Sequence, residues 1–244
     1  MLRDDAPRAA HRDEPRRAGP RPSRRLGLAA AALLMLSMPA SIRSVAAETP
    51  PIGINPHTGL PDPDSGAELI GTPAPAWTFD RWVRGGPLTL DRLRGKVVLI
   101  RWWTEECHYC QTTLPVLERM RREHPDDLVV VAVFHPKPPH AVSDGHVIQV
   151  ARRIGYDGPI AFDGRWKTLD RYWLDGHPDR NWTSVSFLID RAGVIRWVHG
   201  GGEYHPSQNP KHARCNLEYQ GLEAALRAAI ASGGTAEPGV TGMR

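Results

Sequence analysis

A pair of cysteines between a strand-like run and a helix-like run constrains the fold of this chain more than any other feature. Residues 96–103 (KVVLIRWW) are mostly β-branched and aromatic, which is typical of a strand buried on both faces. Cys107 and Cys110 follow, and residues 108–123 carry apolar side chains at helical spacing. We therefore expect both thiols at the N-terminus of a helix, where backbone N–H groups and the helix dipole favour a thiolate.

Strand-like and helix-like runs also alternate through the rest of the domain. Predicted strands cover 128–134, 160–162, 185–189 and 194–199, and predicted helices cover 144–154, 169–173 and 216–231. Residues 190–193 (DRAG) should join the last two strands as a hairpin, with Gly193 in left-handed backbone. The last helix should bury a face that includes Leu217, Leu222 and Leu226. This order predicts an α/β layer fold with a mixed sheet.

Positive charge is concentrated at the start of the chain. The net charge is +4, but residues 1–47 hold nine Arg against four acidic residues, so the rest carries −1. We therefore expect no nucleic acid partner. The apolar run at 26–38 follows Arg24 and Arg25 and is shorter than the about 20 residues that span a membrane. We predict a signal peptide over 1–47, a periplasmic or otherwise extracytoplasmic protein, and no stable membrane insertion after its removal; an uncleaved short anchor is the alternative.

Composition divides the remaining chain into three parts. Residues 48–70 are rich in Pro and Gly and predict an extended arm, 71–232 form the folded domain, and 233–244 are a disordered tail. The chain has three cysteines, too few for a disulfide-dense scaffold. Three are enough for one redox pair and one further thiol, and in an exported protein such a disulfide would form and persist.

These motifs resemble the thioredoxin superfamily, specifically its exported TlpA/ResA-like thiol–disulfide oxidoreductases, over roughly residues 71–200. The matching features are the opening segment 71–77 (GTPAPAW), the run 88–99 (LTLDRLRGKVVL), Pro115 in the helix after the cysteines, and 187–196 (FLIDRAGVIR). The resemblance implies a thioredoxin-like three-layer α/β fold with a mixed central sheet, a terminal β-hairpin and a βα insertion at 135–180.

A division of labour between the two cysteines is also expected. The first thiol, Cys107, should attack a substrate disulfide, and Cys110 should resolve the mixed disulfide. The expected partners are a cysteine-containing protein substrate and a thiol or disulfide electron donor or acceptor. The resemblance implies roles in disulfide metabolism or cytochrome c biogenesis, with the Cys107–Cys110 disulfide as the redox group, no other cofactor and no metal.

Two positions depart from the family pattern. Ser184 stands where members usually carry a cis-proline facing the dithiol, and we expect a trans bond because cis costs about 2.5–4 kcal/mol without proline. Arg101 stands where an acid or amide often lies under the thiols. A cation near Cys107 would lower its pKa, favour the reduced form and make the protein more oxidising. Alternatively, Arg101 pairs with Glu105 and Glu106 or reaches solvent.

Three neighbours complete the predicted thiolate and substrate environment. Trp103 matches a family position beside the dithiol. His108 can add positive charge and hydrogen bonding near the thiolate, and Tyr109 borders the thiols and can line a substrate surface.

Two other functions use the same cysteines. Thr104, three residues before Cys107, resembles the peroxiredoxin active site and suggests a thiol peroxidase, although the proline of that motif would fall at Ile100. A copper chaperone would bind soft Cu(I) through the two cysteines and a histidine such as His199 or His205.

A second group of polar residues follows the predicted hairpin. His199, Glu203, Tyr204 and His205 are close in sequence, and both a surface loop and a metal contribution are open interpretations. Cys215 is expected to be a buried or idle thiol; a regulatory partner of the dithiol or an intermolecular link are the alternatives.

Overall fold

The computed structural model describes residues 65–180 and 182–232. The predicted signal peptide, the predicted tail and most of the predicted arm lie outside the described residues. Residues 65–70, the end of that arm, contain a 3₁₀ turn at Ala67–Leu69, and Leu69 and Ile70 pack against the domain core. Within the described ranges, no helix combines the length and the apolar character needed to cross a membrane.

In the described part of the chain, six strands form one mixed sheet in the order β1-β4-β3-β2-β5-β6. The strands are β1 (Arg81–Arg84), β2 (Val97–Trp103), β3 (Leu128–Phe134), β4 (Ile160–Phe162), β5 (Ser186–Ile189) and β6 (Ile195–His199). The β2-β3 and β3-β4 pairs are parallel, whereas β1, β5 and β6 join antiparallel. Strand β2 is interior to the sheet and buried along its whole length, so the segment that leads into the cysteines is rigidly held.

Helices cover both faces of this sheet. They are α1 (His108–Glu123), α2 (Asp144–Ile154), α3 (Lys167–Leu169), which continues as a π-helical turn (Asp170–Leu174), and α4 (Ala213–Ala231). Apolar side chains of α1, α2 and α4 form one core on one face of the sheet. The α3 region and the segment before β2 form a second core on the other face. The sheet therefore lies between two layers, as the three-layer prediction requires.

The sequence located most elements because their periodicity is local. The predicted mixed sheet and terminal hairpin are confirmed, and Gly193 has φ 77° in the turn that joins β5 to β6. Residues 135–180, predicted as an insertion, hold α2, β4 and α3. The opening segment forms only a short ladder beside β6, with a bridge between Pro73 and Val194.

One strand was missed and one expectation was wrong. Strand β1 was not predicted; it is a four-residue edge strand whose residues are all half-buried and show no alternation. Leu217 is 45% exposed and does not belong to the buried face of α4. It lies five residues before Leu222, and at about 100° per residue this turns it about 140° away. Tyr219, Leu222 and Leu226 form the buried stripe instead.

Alternation along β2 decides which side chains face the cysteines. Leu99 and Trp103 pack in the same core as Cys110, on the α1 side of the sheet. Trp102 packs in the opposite core. Because successive strand side chains point to opposite faces, Arg101 lies on the α1 side, beneath the dithiol.

Candidate active site

Cys107 and Cys110 form a disulfide at the start of α1, with Cα atoms 5.2 Å apart. Cys107 is the N-cap residue, and its Sγ accepts a hydrogen bond from Cys110 N at 3.2 Å. Cys110 is fully buried, whereas Cys107 is partly exposed. An incoming sulfur can therefore reach only Cys107, and the N-terminal N–H groups of α1 are placed to stabilise its thiolate.

Ser184 supplies a hydroxyl to both sulfurs from the loop before β5. Its Oγ lies 3.3 Å from Cys107 Sγ and 3.5 Å from Cys110 Sγ. The cis peptide bonds among the described residues precede Pro87 and Pro138, so the bond before Ser184 is trans. The position that resembles the cis-proline site therefore carries a polar contact to the disulfide, and a hydroxyl there can donate to a thiolate.

Arg101 lies under the disulfide and is fully buried. Its Nη2 is 3.9 Å from Cys110 Sγ and donates to Gly202 O at 2.8 Å. Its Nη1 donates to Ser186 Oγ at 3.2 Å, and its Nε has no hydrogen-bond partner. The hydrogen bond to sulfur is therefore with Cys110, whereas the sequence analysis placed this charge near Cys107.

No carboxylate in the described ranges forms an ion pair with Arg101, so the alternative pairing with Glu105 and Glu106 is wrong, as is the alternative that Arg101 reaches solvent. Glu105 instead bonds His146, at 2.6 Å between Oε2 and Nε2. Burial lowers the pKa of Arg101, because desolvation penalises the charged guanidinium. The structure thus holds a buried cation against a sulfur that becomes anionic on reduction.

His135 and Thr183, which the sequence analysis missed, support the Ser184 loop. His135 is buried at the end of β3, where its Nδ1 lies 3.0 Å from Trp103 O and its Nε2 lies 2.9 Å from Thr183 Oγ1. Burial lowers the pKa of His135 to about 3, so the ring is neutral. Nδ1 then donates to the carbonyl and Nε2 accepts from the hydroxyl, which fixes Thr183 beside Ser184.

The three predicted neighbours of the dithiol lie in different surroundings. Trp103 is fully buried against Phe134, with ring centroids 4.9 Å apart, so it serves as packing beneath the site. His108 is exposed at the start of α1. Tyr109 is 38% exposed and meets Trp182, itself 44% exposed, edge to face at 5.8 Å. Tyr109 and Trp182 therefore form an exposed aromatic surface next to Cys107.

The histidines considered for copper have neighbours other than the dithiol. His199 is buried and paired with Glu218. His205 Nε2 lies 3.9 Å from Glu203 Oε2, and its ring contacts His212. The hydrogen bonds of the described residues connect neither imidazole to the disulfide.

Similarity to known proteins agrees with this geometry. Residues 70–198 match the model of the AhpC/TSA family. The chain is 26% identical over 131 residues to thiol-disulfide oxidoreductase YkuV of Bacillus subtilis, covering 53% of this chain and 84% of YkuV. It is 26% identical over 120 residues to thiol-disulfide oxidoreductase ResA of Halalkalibacterium halodurans, covering 49% and 62%. Protein DipZ of Mycobacterium tuberculosis is 32% identical over 124 residues, but these are only 17% of DipZ.

Solved structures establish the fold. A candidate protein disulfide isomerase of Bacteroides thetaiotaomicron superposes with a TM-score of 0.52 at 22% identity, covering 66% of this chain and 90% of that one. The thioredoxin-like superfamily protein SPOA0173 superposes with a TM-score of 0.50 at 22% identity, covering 68% and 99%. The fold is thioredoxin-like.

Proposed function

The chain belongs to the AhpC/TSA family, and on that premise we propose that it is an exported thiol–disulfide oxidoreductase that exchanges electrons with protein cysteines. One observation carries the proposal: the disulfide presents a partly exposed Cys107 and a fully buried Cys110 at the N-terminus of a helix. This asymmetry separates the sulfur that meets a partner from the sulfur that leaves or resolves. The apolar run at 26–38 behind Arg24 and Arg25 supports export.

The exchange follows from this asymmetry. A substrate thiolate attacks Cys107 Sγ, the Cys107–Cys110 bond breaks, and Cys110 leaves as a thiolate. A second substrate thiolate then attacks the substrate sulfur of the mixed disulfide and expels Cys107 as a thiolate. Two electrons pass from the substrate dithiol to the protein, and the protons of the substrate thiols pass to solvent or to the new thiols. In the reverse direction Cys107 attacks and Cys110 resolves.

The buried Arg101 favours the oxidising direction. Its guanidinium lies 3.9 Å from the sulfur that becomes the leaving thiolate, in a site where water screens little charge. Stabilising the thiolate stabilises the reduced protein, and a stabilised reduced form is what makes a dithiol protein a strong oxidant. The helix N-terminus and the Ser184 hydroxyl likewise stabilise the thiolate of Cys107, which also favours the reduced protein.

The aromatic surface of Tyr109 and Trp182 indicates the substrate class. Two exposed rings beside an accessible sulfur offer apolar contact area to a polypeptide, whereas a small peroxide needs none. We therefore propose cysteine-containing proteins as the substrates of Cys107.

The reduction potential of the Cys107–Cys110 couple is the direct test. The protein is equilibrated in thiol–disulfide buffers, and its oxidised fraction is measured together with its turnover of a disulfide-containing or dithiol-containing protein. We expect turnover, with a potential nearer the about −120 mV of a strong oxidant than the about −270 mV of thioredoxin. A potential at or below the thioredoxin value would contradict the oxidising direction, and no turnover would contradict the proposed activity.

The same preparation tests the thiol peroxidase alternative. Ile100, where the peroxiredoxin motif would have proline, lies inside β2, and the described contacts of Cys107 Sγ with polar side chains involve Ser184. We expect reduced protein to consume hydrogen peroxide at the background rate of its thiols. Rapid, saturable peroxide consumption with slow protein turnover would instead favour the peroxidase.

A further inference from the structure

Four potential metal ligands converge between the loop after β6 and the start of α4. Glu203 and His205 come from the loop, and His212 and Cys215 lie three residues apart, as N-cap and first turn of the helix. One ligand atom from each of the four lies within 4.8 Å of every other. The sequence indicates only part of this group: a metal contribution was open for Glu203 and His205, but no C-x-x-C or H-x-x-H pair connects His212 and Cys215 to them.

Three of the distances between the ligand atoms fit a tetrahedral site. Cys215 Sγ is 3.8 Å from both His212 Nδ1 and Glu203 Oε1, and these two atoms are 3.6 Å apart. His205 Nε2 is 3.9 Å from Glu203 Oε2. Tetrahedral zinc with bonds of about 2.0–2.3 Å places its ligand atoms about 3.3–3.8 Å apart.

The orientation of His205 points independently to a ligand. Its Nδ1 lies 3.2 Å from Pro206 O, so Nδ1 carries the proton and donates to that carbonyl. Its Nε2 is then a free lone pair, and this atom is buried without a hydrogen-bond partner. A buried nitrogen acceptor without a donor costs free energy unless something binds it. A backbone carbonyl that holds the far nitrogen of an imidazole is the usual support for a metal-bound histidine.

Glu203 is held in a comparable way. The Thr112 hydroxyl on α1 lies 2.5 Å from Glu203 Oε2, and Glu203 Oε1 faces Cys215 and His212. The side chains of Glu203 and His205 are only 14% and 16% exposed. The carboxylate is thus oriented from outside the cluster, as metal-binding carboxylates generally are.

We propose that Glu203, His205, His212 and Cys215 bind one zinc ion. One thiolate, two imidazoles and one carboxylate suit zinc, whereas calcium and magnesium prefer all-oxygen sites. Four protein ligands close the coordination sphere, which is typical of a structural site. Binding replaces the proton of the Cys215 thiol with the metal, and that proton passes to solvent. The site is separate from the dithiol and does not depend on the proposed redox activity.

The chain itself provides a clean test. The full chain has three cysteines, so once Cys107 and Cys110 are in their disulfide, Cys215 is its only thiol. The oxidised protein is titrated with Co²⁺, and the near-ultraviolet thiolate-to-cobalt charge-transfer band and the visible tetrahedral bands are recorded. We expect saturation at about one Co²⁺ per chain and displacement of cobalt by one equivalent of Zn²⁺.

Matched variants assign the ligands. Cys215→Ser should remove the charge-transfer band, and His212→Ala should weaken Co²⁺ binding by more than the about 10- to 100-fold typical of a lost outer-shell partner. His212 is 40% exposed, so this variant should fold normally. The double variant Cys107→Ser, Cys110→Ser and the exposed-histidine variant His108→Ala should bind Co²⁺ as the wild type does. Substoichiometric binding by the oxidised wild type, or a band that survives Cys215→Ser, would overturn the proposal.

Discussion

The dithiol and the Glu203–Cys215 cluster both place a sulfur beside a charged group at nearly the same distance, but the charges are opposite. At the dithiol, the Arg101 guanidinium is 3.9 Å from Cys110 Sγ. In the cluster, the Glu203 carboxylate is 3.8 Å from Cys215 Sγ. A cation beside sulfur stabilises a thiolate and repels a metal ion, which suits electron exchange. A carboxylate and imidazoles beside sulfur attract a metal ion, which suits metal binding.

One loop lies between the two regions. Gly202 O accepts from Arg101, and the next residue, Glu203, contacts the Thr112 hydroxyl on the helix that carries the cysteines. Gly201, with φ 132°, sits so close to Trp182 that a Cβ there would lie 2.3 Å from Trp182 Cβ. This loop links the two regions, but each region can still be disturbed separately through a residue that only one of them uses, Cys107 at the dithiol and Cys215 in the cluster.

The largest expected effect is the difference in disulfide exchange between a variant of Cys107, in the dithiol, and a variant of Cys215, in the cluster. Cys107→Ser should reduce disulfide exchange to the rate measured without protein, because the accessible sulfur is lost. Cys215→Ser should leave exchange unchanged. Turnover of a protein disulfide is measured for both variants and for the wild type. Residual catalysis by Cys107→Ser, or equal losses in both variants, would contradict a separate role for the dithiol.

Removing the charge beneath the dithiol should shift its reduction potential. Arg101→Met is expected to make the potential about 30–60 mV more negative, a 10- to 100-fold change in the equilibrium constant. Arg101→Lys should retain most of the wild-type value, because the cation remains. The matched control Arg119→Gln removes a guanidinium from the far side of α1, near Tyr219 and Glu123, and should not shift the potential. Equal shifts in Arg101→Met and Arg119→Gln would show that the effect is not local.

The buried His135 should make the dithiol region sensitive to acid. Its pKa is lowered to about 3 by burial, against 6.5 for the free side chain. Below pH 6.5 the unfolded chain therefore binds a proton that the folded protein does not, so stability falls as pH falls. Lowering the pH from 8 to 5 should therefore reduce the free energy of unfolding by about 2 kcal/mol through this residue alone. Urea unfolding at both pH values should show a smaller loss for His135→Gln, and an identical loss would contradict a neutral buried ring.

The smallest expected effect is at the aromatic surface. Tyr109→Ala and Trp182→Ala should each raise the KM for a protein substrate by about 5- to 10-fold, because exposed aromatic contacts are worth about 1 kcal/mol or slightly more. The reduction potential and the reaction with a small dithiol should stay unchanged, because no hydrogen bond of the described residues joins either aromatic side chain to a sulfur. Leu217→Ala, on the exposed face of α4, is the control. A matching loss with small dithiols would show that the rings do more than contact substrate.

The order of strands and helices, the mixed sheet, and the position of Cys107 and Cys110 at a helix N-terminus could all be predicted from the sequence alone. These features depend on the periodicity of short segments and on residues that are neighbours in the chain, so one sequence is enough to predict them. Gly193, whose positive φ allows the turn between β5 and β6, is an example. The edge strand β1 escaped prediction, because an edge strand of half-buried residues has little periodic signal.

The resemblance placed Arg101 and Ser184 near the dithiol, but their individual contacts with the sulfurs are visible only in the folded protein. Arg101 contacts Cys110, nine residues along the chain, and not Cys107. The other partners lie far apart in the chain: Arg101 donates to Gly202 O, Ser184 contacts both sulfurs, and His135 holds Thr183. The Glu203–Cys215 cluster forms because the end of β6 and the start of α4 are brought together. Charge and hydrogen bonding act over a few ångströms in space, so the residues that set the chemistry of a sulfur are known only once the chain is folded.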